Sequence, residues 1–156
     1  MELKRVVVTG MGALTPLGNS IEEYWTGLIN GVSGADMITL FDASKFRTKF
    51  ACEVKKFDPT QFLDKKEARK IDRFTQLALV ASDQAMTHAG LNKNNINPDR
   101  IGVVFGSGIG GLITFQNEVT EFAKGDGTPR FNPFFIPKMI LDIAAGQISM
   151  RHNLRG

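Results

Sequence analysis

Three apolar stretches of the chain predict β-strands. Ile101 to Phe105 is a run of mostly β-favouring residues without polar alternation, which is typical of a strand buried on both faces of a sheet. Lys4 to Thr9 contains a similar run and predicts the first strand, and Phe46 to Val54 alternates loosely and predicts a second. Gly10 follows the stretch that ends at Thr9, and Gly106 follows the stretch that ends at Phe105, so both strands are expected to end in tight turns.

Apolar residues spaced three and four positions apart predict helices between these strands. Ser20-Ile-Glu-Glu23 has the spacing of a capping box, and Gly31 supplies a left-handed stop for the helix that it opens. A second helix is predicted from about Arg73 to Ala89, apolar nearly all round and therefore buried, with Gly90 as its end. The face that the first helix is expected to bury consists of Ile21, Tyr24, Trp25, Leu28 and Ile29.

A glycine-rich turn, Gly106 to Gly111, connects the strand at Ile101 to Phe105 with a third predicted helix. Its G-x-G-x-x-G spacing is also that of a dinucleotide-binding turn. That motif needs an acidic residue about 20 positions later, at the end of another strand, to hold the ribose. Here the region is the loop Lys124 to Arg130, so glycines that let two backbones pass closely are the favoured interpretation. The apolar stripe of the helix is Leu112, Phe115, Val119 and Phe122.

The remaining segments differ in character. Lys65 to Lys70 predicts a short basic helix, and Lys138 to His152 predicts a longer one. Phe131 to Pro137 places three phenylalanines among two prolines, so we expect an irregular but apolar loop of the kind that meets a ligand or a partner. This much apolar surface in 156 residues indicates part of a larger fold.

Composition narrows the class of protein. A hydrophobic content of 42% fits a globular protein, and a net charge of +3 does not by itself indicate nucleic acid. The start is charged and lacks a signal-peptide pattern, and no apolar stretch is long enough to span a bilayer. The single cysteine excludes an internal disulfide framework and fits a reducing compartment. We therefore expect a cytoplasmic protein that binds neither membrane nor nucleic acid.

Few side chains are candidates for catalysis. Cys52 lies within a predicted strand, where a buried structural thiol is the favoured interpretation. His88 and His152 fall near helix ends, where imidazole interacts favourably with the helix dipole. The sequence supports no catalytic pair between Cys52 and either histidine, and no spacing indicates a metal site. We therefore predict no catalytic residue, metal or cofactor in this chain.

Five motifs in series resemble those of a known family. They are V-V-V-T-G-M-G near the start, R-K-I-D-R-F-T-Q-L-A-L, G-S-G-I-G-G, N-P-F-F-I-P and the final L-R-G. Together they resemble the elongating β-ketoacyl-acyl-carrier-protein synthases, most closely the synthase II group, and the resemblance covers residues 1–156. It implies an α/β, thiolase-like fold of helices layered on a mixed sheet, of which this chain is the amino-terminal, incomplete part.

The resemblance also implies an activity. The family condenses an acyl-cysteine enzyme with malonyl-carrier protein, releases carbon dioxide and works as a homodimer without a cofactor. Its nucleophilic cysteine, two histidines and supporting lysine lie beyond the L-R-G motif, so none of them can be assigned between Met1 and Gly156. We expect this chain alone to be inactive.

Binding residues can be carried over by position. The basic residues of the short helix match the patch that docks acyl carrier protein, with Arg130 as an addition. Ile109 matches a residue at the base of the acyl pocket, and the aromatic loop matches the segment that lines the pocket of the partner subunit. The carrier-binding residues are Lys65, Lys66, Arg69, Lys70 and Arg130; the acyl-pocket residues are Ile109, Phe134, Phe135 and Ile136.

A purely structural role stays open as the alternative at each of these positions. The basic residues could be an ordinary solvated face, and the apolar ones ordinary core. For the whole chain, the alternatives are a noncatalytic α/β module that binds a nucleotide or carrier protein, or a subunit like a chain-length factor, in which glutamine replaces the cysteine.

Overall fold

The structure is a computed structural model and describes residues 3–156. Within them the chain forms six α-helices and one two-stranded sheet. Two compact units can be distinguished: the first contains the residues up to Phe57 with Asp83–Gly90, and the second contains Asp58–Ser82 with Leu91–Gly156. None of the helices in the described part is long and apolar enough to cross a membrane.

The first unit contains helix α1 (Ile21–Ile29) and strands β1 (Asp36–Met37) and β2 (Phe50–Ala51). The strands are antiparallel, with Asp36 opposite Ala51 and Met37 opposite Phe50. Beyond the sheet, Lys55 forms an ion pair of 2.7 Å with Asp36. The Glu53 carboxylate accepts hydrogen bonds from the Thr39 hydroxyl and from the N–H groups of Thr39 and Leu40. Charged side chains thus extend the short pairing.

Helix α1 begins as predicted. The Ser20 hydroxyl accepts a hydrogen bond from the Glu23 N–H at 3.2 Å, and Gly31 follows the helix with φ of 64°. The Glu23 carboxylate accepts from the Asn19 N–H instead of closing the capping box. The prediction of a buried face is wrong within this chain, because Trp25 is 61% exposed and Ile29 is 65% exposed.

Polar side chains from the end of helix α3 (Arg73–His88) hold the segment that follows the first apolar run. His88 Nδ1 accepts a hydrogen bond from the Met11 N–H at 3.0 Å. Gln84 accepts from the Ala13 N–H at 2.9 Å and donates to the Asn19 carbonyl at 2.7 Å. At the end of α3, His88 thus binds the backbone of the segment at Met11.

The second unit contains the described hydrophobic core. Helix α2 (Lys65–Lys70), the first part of α3 and helix α6 (Ile143–His152) supply it, with helices α4 (Leu112–Lys124) and α5 (Phe135–Met139) in the same unit. No residue of α3 between Arg73 and Met86 is exposed, which confirms the prediction of a buried helix. The buried core residues are Leu63, Ala68, Ile71, Ala78, Leu79, Ala144 and Ile148.

Two predicted strands do not form in this chain. Residues 4–9 and 101–105 have no strand assignment, and Val6 and Val104 are 90% and 102% exposed. A strand exists only when its backbone groups bond to a neighbour, and none of the described residues provides a ladder for either segment. At its start, Ile101 accepts a hydrogen bond from the Gly156 N–H at 3.0 Å. Both segments are apolar, as the pattern indicates, but within residues 3–156 no strand pairs with them.

Three further predictions need correction. Of Phe46 to Val54 only Phe50–Ala51 is a strand, and Cys52 is exposed instead of buried. The helix predicted from Lys138 to His152 is divided by an interruption at residues 140–142. Its first part starts earlier, within the supposedly irregular loop, because Pro137 occupies the third helical position, where an N–H has no intrahelical acceptor.

Candidate functional site

The glycine turn packs against the end of α5. A Cβ on Gly110 would overlap the carbonyl oxygen of Met139, and one on Gly111 would overlap that of Lys138. The Gly111 N–H donates to the Met139 carbonyl at 3.2 Å. By contrast, a Cβ on Gly106 or Gly108 would meet nothing within 4 Å. Two of the glycines are thus required by close backbone packing, which favours that interpretation over a dinucleotide site.

An apolar pocket of about 280 Å³ opens beside this turn. Ile109 contributes to its wall and is 68% exposed; its role at the base of an acyl pocket stays a prediction. Sequence reasoning missed Met139, the last residue of α5, and Leu141, which lies in the interruption between α5 and α6. In the sequence they are two apolar residues that follow the aromatic loop, and nothing in that pattern indicates that they pack against the glycine turn. The lining is Gly108, Ile109, Gly110, Gly111, Leu112, Phe115, Met139 and Leu141.

The predicted pocket residues of the aromatic loop lie outside this lining. Phe135 stacks on Phe115 with ring centroids 6.1 Å apart, and on Phe131 at 5.7 Å. Phe131 in turn contacts Phe122 at 5.5 Å. We call these four rings the aromatic stack. Phe115 belongs to both the aromatic stack and the pocket lining, whereas Ile136 is 53% exposed. The role of Phe134, Phe135 and Ile136 across a subunit interface stays a prediction.

The basic residues of α2 face outward. The Asp64 carboxylate caps the helix by accepting the N–H groups of Lys66 and Glu67, and Ala68 is buried on the opposite side. Glu67, the acidic interruption, is paired with Arg151 at 3.5 Å. The exposed face is therefore positive. It consists of Lys65, Lys66, Arg69 and Lys70, and we call these four residues the basic cluster.

One member of the basic cluster contacts the aromatic loop. Lys70 Nζ lies 5.5 Å from the ring centroid of Phe134, a cation–π distance. The same part of the unit is held by Asp72, whose carboxylate accepts a short hydrogen bond from the Thr114 hydroxyl of α4. The structure thus brings together a predicted carrier-binding residue and a predicted pocket residue.

Arg130 has a different setting. It forms an ion pair with Asp126 at 3.1 Å and lines a second cavity, of about 200 Å³, with Glu118 and Glu121. The Thr128 N–H, then the Thr128 hydroxyl, holds the pKa of Asp126 below its usual value, and Arg130 adds a smaller effect in the same direction. Part of the positive charge of Arg130 is therefore already neutralised.

The remaining reactive side chains do not form a catalytic arrangement. His152 Nε2 lies 3.5 Å from the Ser82 hydroxyl, but that hydroxyl is 2.8 Å from the Leu79 carbonyl, to which it donates. Its proton is committed to the helix backbone, so His152 does not activate it as a base would. Across residues 3–156, no group of three histidine, cysteine or acidic side chains could hold a metal ion.

Comparison with known proteins agrees with this arrangement. The sequence profile described as β-ketoacyl synthase, N-terminal domain, matches residues 3–156. The chain is 47% identical over all 156 residues to 3-oxoacyl-[acyl-carrier-protein] synthase 2 of Synechocystis sp., and it spans 37% of the length of that relative.

Two solved structures share the fold. The ishigamide ketosynthase/chain length factor superposes with a TM-score of 0.85 and 26% identity, covering 95% of this chain and 37% of the other. A type II PKS ketosynthase solved in complex with its acyl-carrier protein gives a TM-score of 0.77 at 26% identity, covering 98% of this chain and 40% of the other. The helices and the glycine turn are thus those of a thiolase-like ketosynthase, and the chain belongs to the β-ketoacyl synthase family, of which it carries the N-terminal domain.

Proposed function

We propose that this chain is the amino-terminal part of a 3-oxoacyl-[acyl-carrier-protein] synthase that elongates fatty acyl chains. The observation that carries the proposal is the presence, in one compact unit, of an apolar pocket at the glycine turn and an exposed basic cluster. An apolar pocket suits an acyl chain, and a basic face suits an acidic carrier protein. The 47% identity to a synthase 2 supports the same reaction.

In the proposed reaction, a cysteine outside these 156 residues accepts the acyl group as a thioester. Malonyl-carrier protein loses its carboxylate as carbon dioxide, and the resulting carbanion attacks the thioester carbonyl. The carbon–sulfur bond to the cysteine breaks, which leaves the lengthened 3-oxoacyl group on the carrier. This chain contributes binding: Ile109 in the pocket wall, and the basic cluster with Arg130 for the carrier.

Further parts of the proposal concern the assembly. Phe134, Phe135 and Ile136 are proposed to line the pocket of a second subunit in a homodimer. In the single chain all three are partly exposed to solvent, which leaves their surfaces available for such a contact. We place the protein in the cytoplasm, where acyl carrier protein and malonyl groups would be supplied.

A direct test is to express the gene with its native downstream sequence and to incubate the product with acyl- and malonyl-acyl-carrier protein. Carbon dioxide and a 3-oxoacyl carrier two carbons longer, detected by mass spectrometry, are expected. Their absence, with carrier binding intact, would contradict the elongation reaction.

A second candidate is a noncatalytic subunit like a chain-length factor, because one structural neighbour is described as a ketosynthase/chain length factor. The two candidates differ in the reactive residue that follows this region. A cysteine there supports the synthase and a glutamine supports the noncatalytic subunit, so the downstream codons decide between them.

A further inference from the structure

We propose that Lys70 and Phe134 form a switch that couples docking of an acidic partner on the basic cluster to the wall of the apolar pocket. With carrier protein as the partner, the inference rests on the proposed function. The contact between the two residues is a property of the chain by itself and can be tested without any partner.

The switch begins at the cation–π contact. Lys70 is the last residue of α2, and its ammonium lies 5.5 Å from the centroid of the Phe134 ring. In the single chain both side chains are open to solvent, with Phe134 40% exposed. An exposed contact of this kind is weak, and it shifts a two-state population by about two- to fivefold. It is therefore strong enough to bias a position and weak enough to be displaced.

Helix α5 carries the effect from Phe134 to the pocket. Phe134 is the residue before its first turn, and the Phe134 carbonyl accepts the Lys138 N–H at 2.9 Å. At the other end, Met139 lines the pocket and its carbonyl accepts the Gly111 N–H. A helix of five residues is only about 7.5 Å long, so a displacement at one end reaches the other.

Contacts along one side and at the start of α5 constrain this helix. The stack of Phe135 on Phe115 holds its side against α4, and the Asn132 carboxamide oxygen accepts the Phe134 N–H at 2.8 Å. The hydrogen bond between Thr114 and Asp72 holds α4 to the start of α3. The switch would use a rocking of α5 about the Phe135 ring.

Docking would act by competition for the ammonium. A carboxylate attracts a lysine ammonium more strongly than an aromatic face does, since it carries a full charge. A partner that places carboxylates on the basic cluster would withdraw Lys70 from Phe134 and release the first turn of α5. Met139 would then move at the glycine turn. The pocket wall would thus respond to the arrival of the partner that brings the acyl chain.

The matched variants are Lys70→Gln and Lys65→Gln, which remove the same charge from the same helix. Phe134→Leu removes the ring and keeps an apolar side chain, and Lys70→Arg keeps a cation that stacks on aromatic rings. The measurement is the methyl resonance of Met139 in protein labelled at methionine methyl groups. The resonances of Met37 in β1 and Met150 in α6 report whether each variant is folded.

Without any partner, we expect Lys70→Gln and Phe134→Leu to move the Met139 resonance in the same direction. Lys65→Gln and Lys70→Arg should leave it in place. If Lys70→Gln and Phe134→Leu leave Met139 unmoved while Met37 and Met150 show a folded chain, the switch does not exist. Equal shifts in Lys70→Gln and Lys65→Gln would overturn it too, because the effect would then be one of charge alone.

With holo acyl carrier protein added, the wild-type Met139 resonance should move in that same direction. At saturation, Lys70→Gln should show at most about a third of the wild-type shift, while Lys65→Gln, although it binds less tightly, should show all of it. Binding without movement of Met139 would overturn the switch and leave the proposed function standing. Absence of binding would contradict the proposed docking, and the partner-free comparison would still decide whether Lys70 and Phe134 control α5.

Discussion

At the scale of single residues, the glycine turn contains positions with different requirements. Gly110 and Gly111 lie against the backbone at the end of α5, whereas Gly108 lies in open space and has no positive φ. Ile109 between them is the side chain that the turn presents to the pocket. Stability and pocket shape therefore depend on adjacent residues and can be tested separately.

Alanine substitutions should separate the two kinds of glycine. Gly111→Ala would force apart two segments of backbone, and overpacking of this kind costs about 1–3 kcal/mol of the free energy of unfolding. Gly108→Ala should change that free energy by less than about 0.5 kcal/mol, or raise it by restricting the unfolded chain. Urea unfolding followed by circular dichroism measures both. Equal destabilisation would contradict the packing described here.

Substitution of Ile109 tests the acyl pocket. Ile109→Phe in the enzyme with its downstream sequence should fill part of the 280 Å³ pocket, so that long acyl groups are lost and short ones are still transferred. Overpacking by about 1–3 kcal/mol is enough for this exclusion. Ile113→Phe is the matched control, since Ile113 is 58% exposed on α4 outside the pocket lining. Equal loss of short and long chains, with a large drop in melting temperature, would show that Ile109 is core.

At the scale of elements, α2 is short and strongly oriented. Asp64 caps it, Ala68 points into the core, and the Glu67–Arg151 pair removes the negative charge from its outer surface. Six residues thus present four cations on one exposed surface. Helix α5 is also short, and it accommodates Pro137 because this residue falls in the first turn, where proline is tolerated.

Charge reversal tests the docking surface. Changing Lys66, Arg69 and Lys70 to glutamate should weaken binding of acyl carrier protein, with a loss that falls as salt rises, because exposed pairs are screened. Each pair is worth about 0.2–1 kcal/mol, so the triple variant is expected to lose roughly 3- to 150-fold in affinity. The control reverses Lys45, Arg47 and Lys49, which are also exposed and carry the same charge. Equal losses in the two triple variants would reduce the cluster to a solvated face.

At the scale of the whole molecule, the two units are stabilised differently. The second has a buried core around Leu79 and Ala144, both fully buried. In the first, carboxylates bond to backbone and to neighbouring side chains, as Glu53 does to the segment at Thr39. The carboxylates whose pKa is lowered are four in the first unit (Glu22, Asp36, Asp42 and Glu53) and two in the second (Asp58 and Asp126). The response to acid should therefore be larger in the first unit.

The pH dependence follows from the direction of the pKa shifts. The Thr39 hydroxyl holds the pKa of Glu53 below its usual 4.5, and Lys55 holds that of Asp36 below its usual 3.8. A lowered pKa in the folded state means that these groups stabilise the fold above pH 4.5 and lose that effect as the pH falls through the lowered values. Glu53→Gln should flatten the fall of melting temperature with pH in this range, compared with Glu121→Gln. An unchanged slope would contradict the role of Glu53.

The chain alone should not take up an acyl group. Cys52 is exposed, and within residues 3–156 no arrangement of a base and an oxyanion-binding pair accompanies it. After incubation with acyl-acyl-carrier protein, intact-mass measurement is expected to show unmodified protein. A stoichiometric acyl adduct on Cys52 would contradict the assignment of the nucleophile to a later segment.

The sequence by itself determined the local features. Ser20, Gly31, Asp64 and Gly90 mark the ends of helices through hydrogen bonds and backbone angles that depend on neighbours in the chain, and the basic cluster is readable for the same reason. The series of motifs also indicates the family, and the match to the β-ketoacyl synthase N-terminal domain confirms it.

Only the tertiary structure decided which apolar segments are covered. Val6 and Val104 have the pattern of a buried strand and are exposed, because a strand depends on a partner that the pattern does not specify. The return of Met139 to Gly111, and of Phe134 to Lys70, joins residues 28 and 64 positions apart. Periodicity along the chain reports which side of an element is apolar, whereas contacts of this kind depend on how the elements pack together.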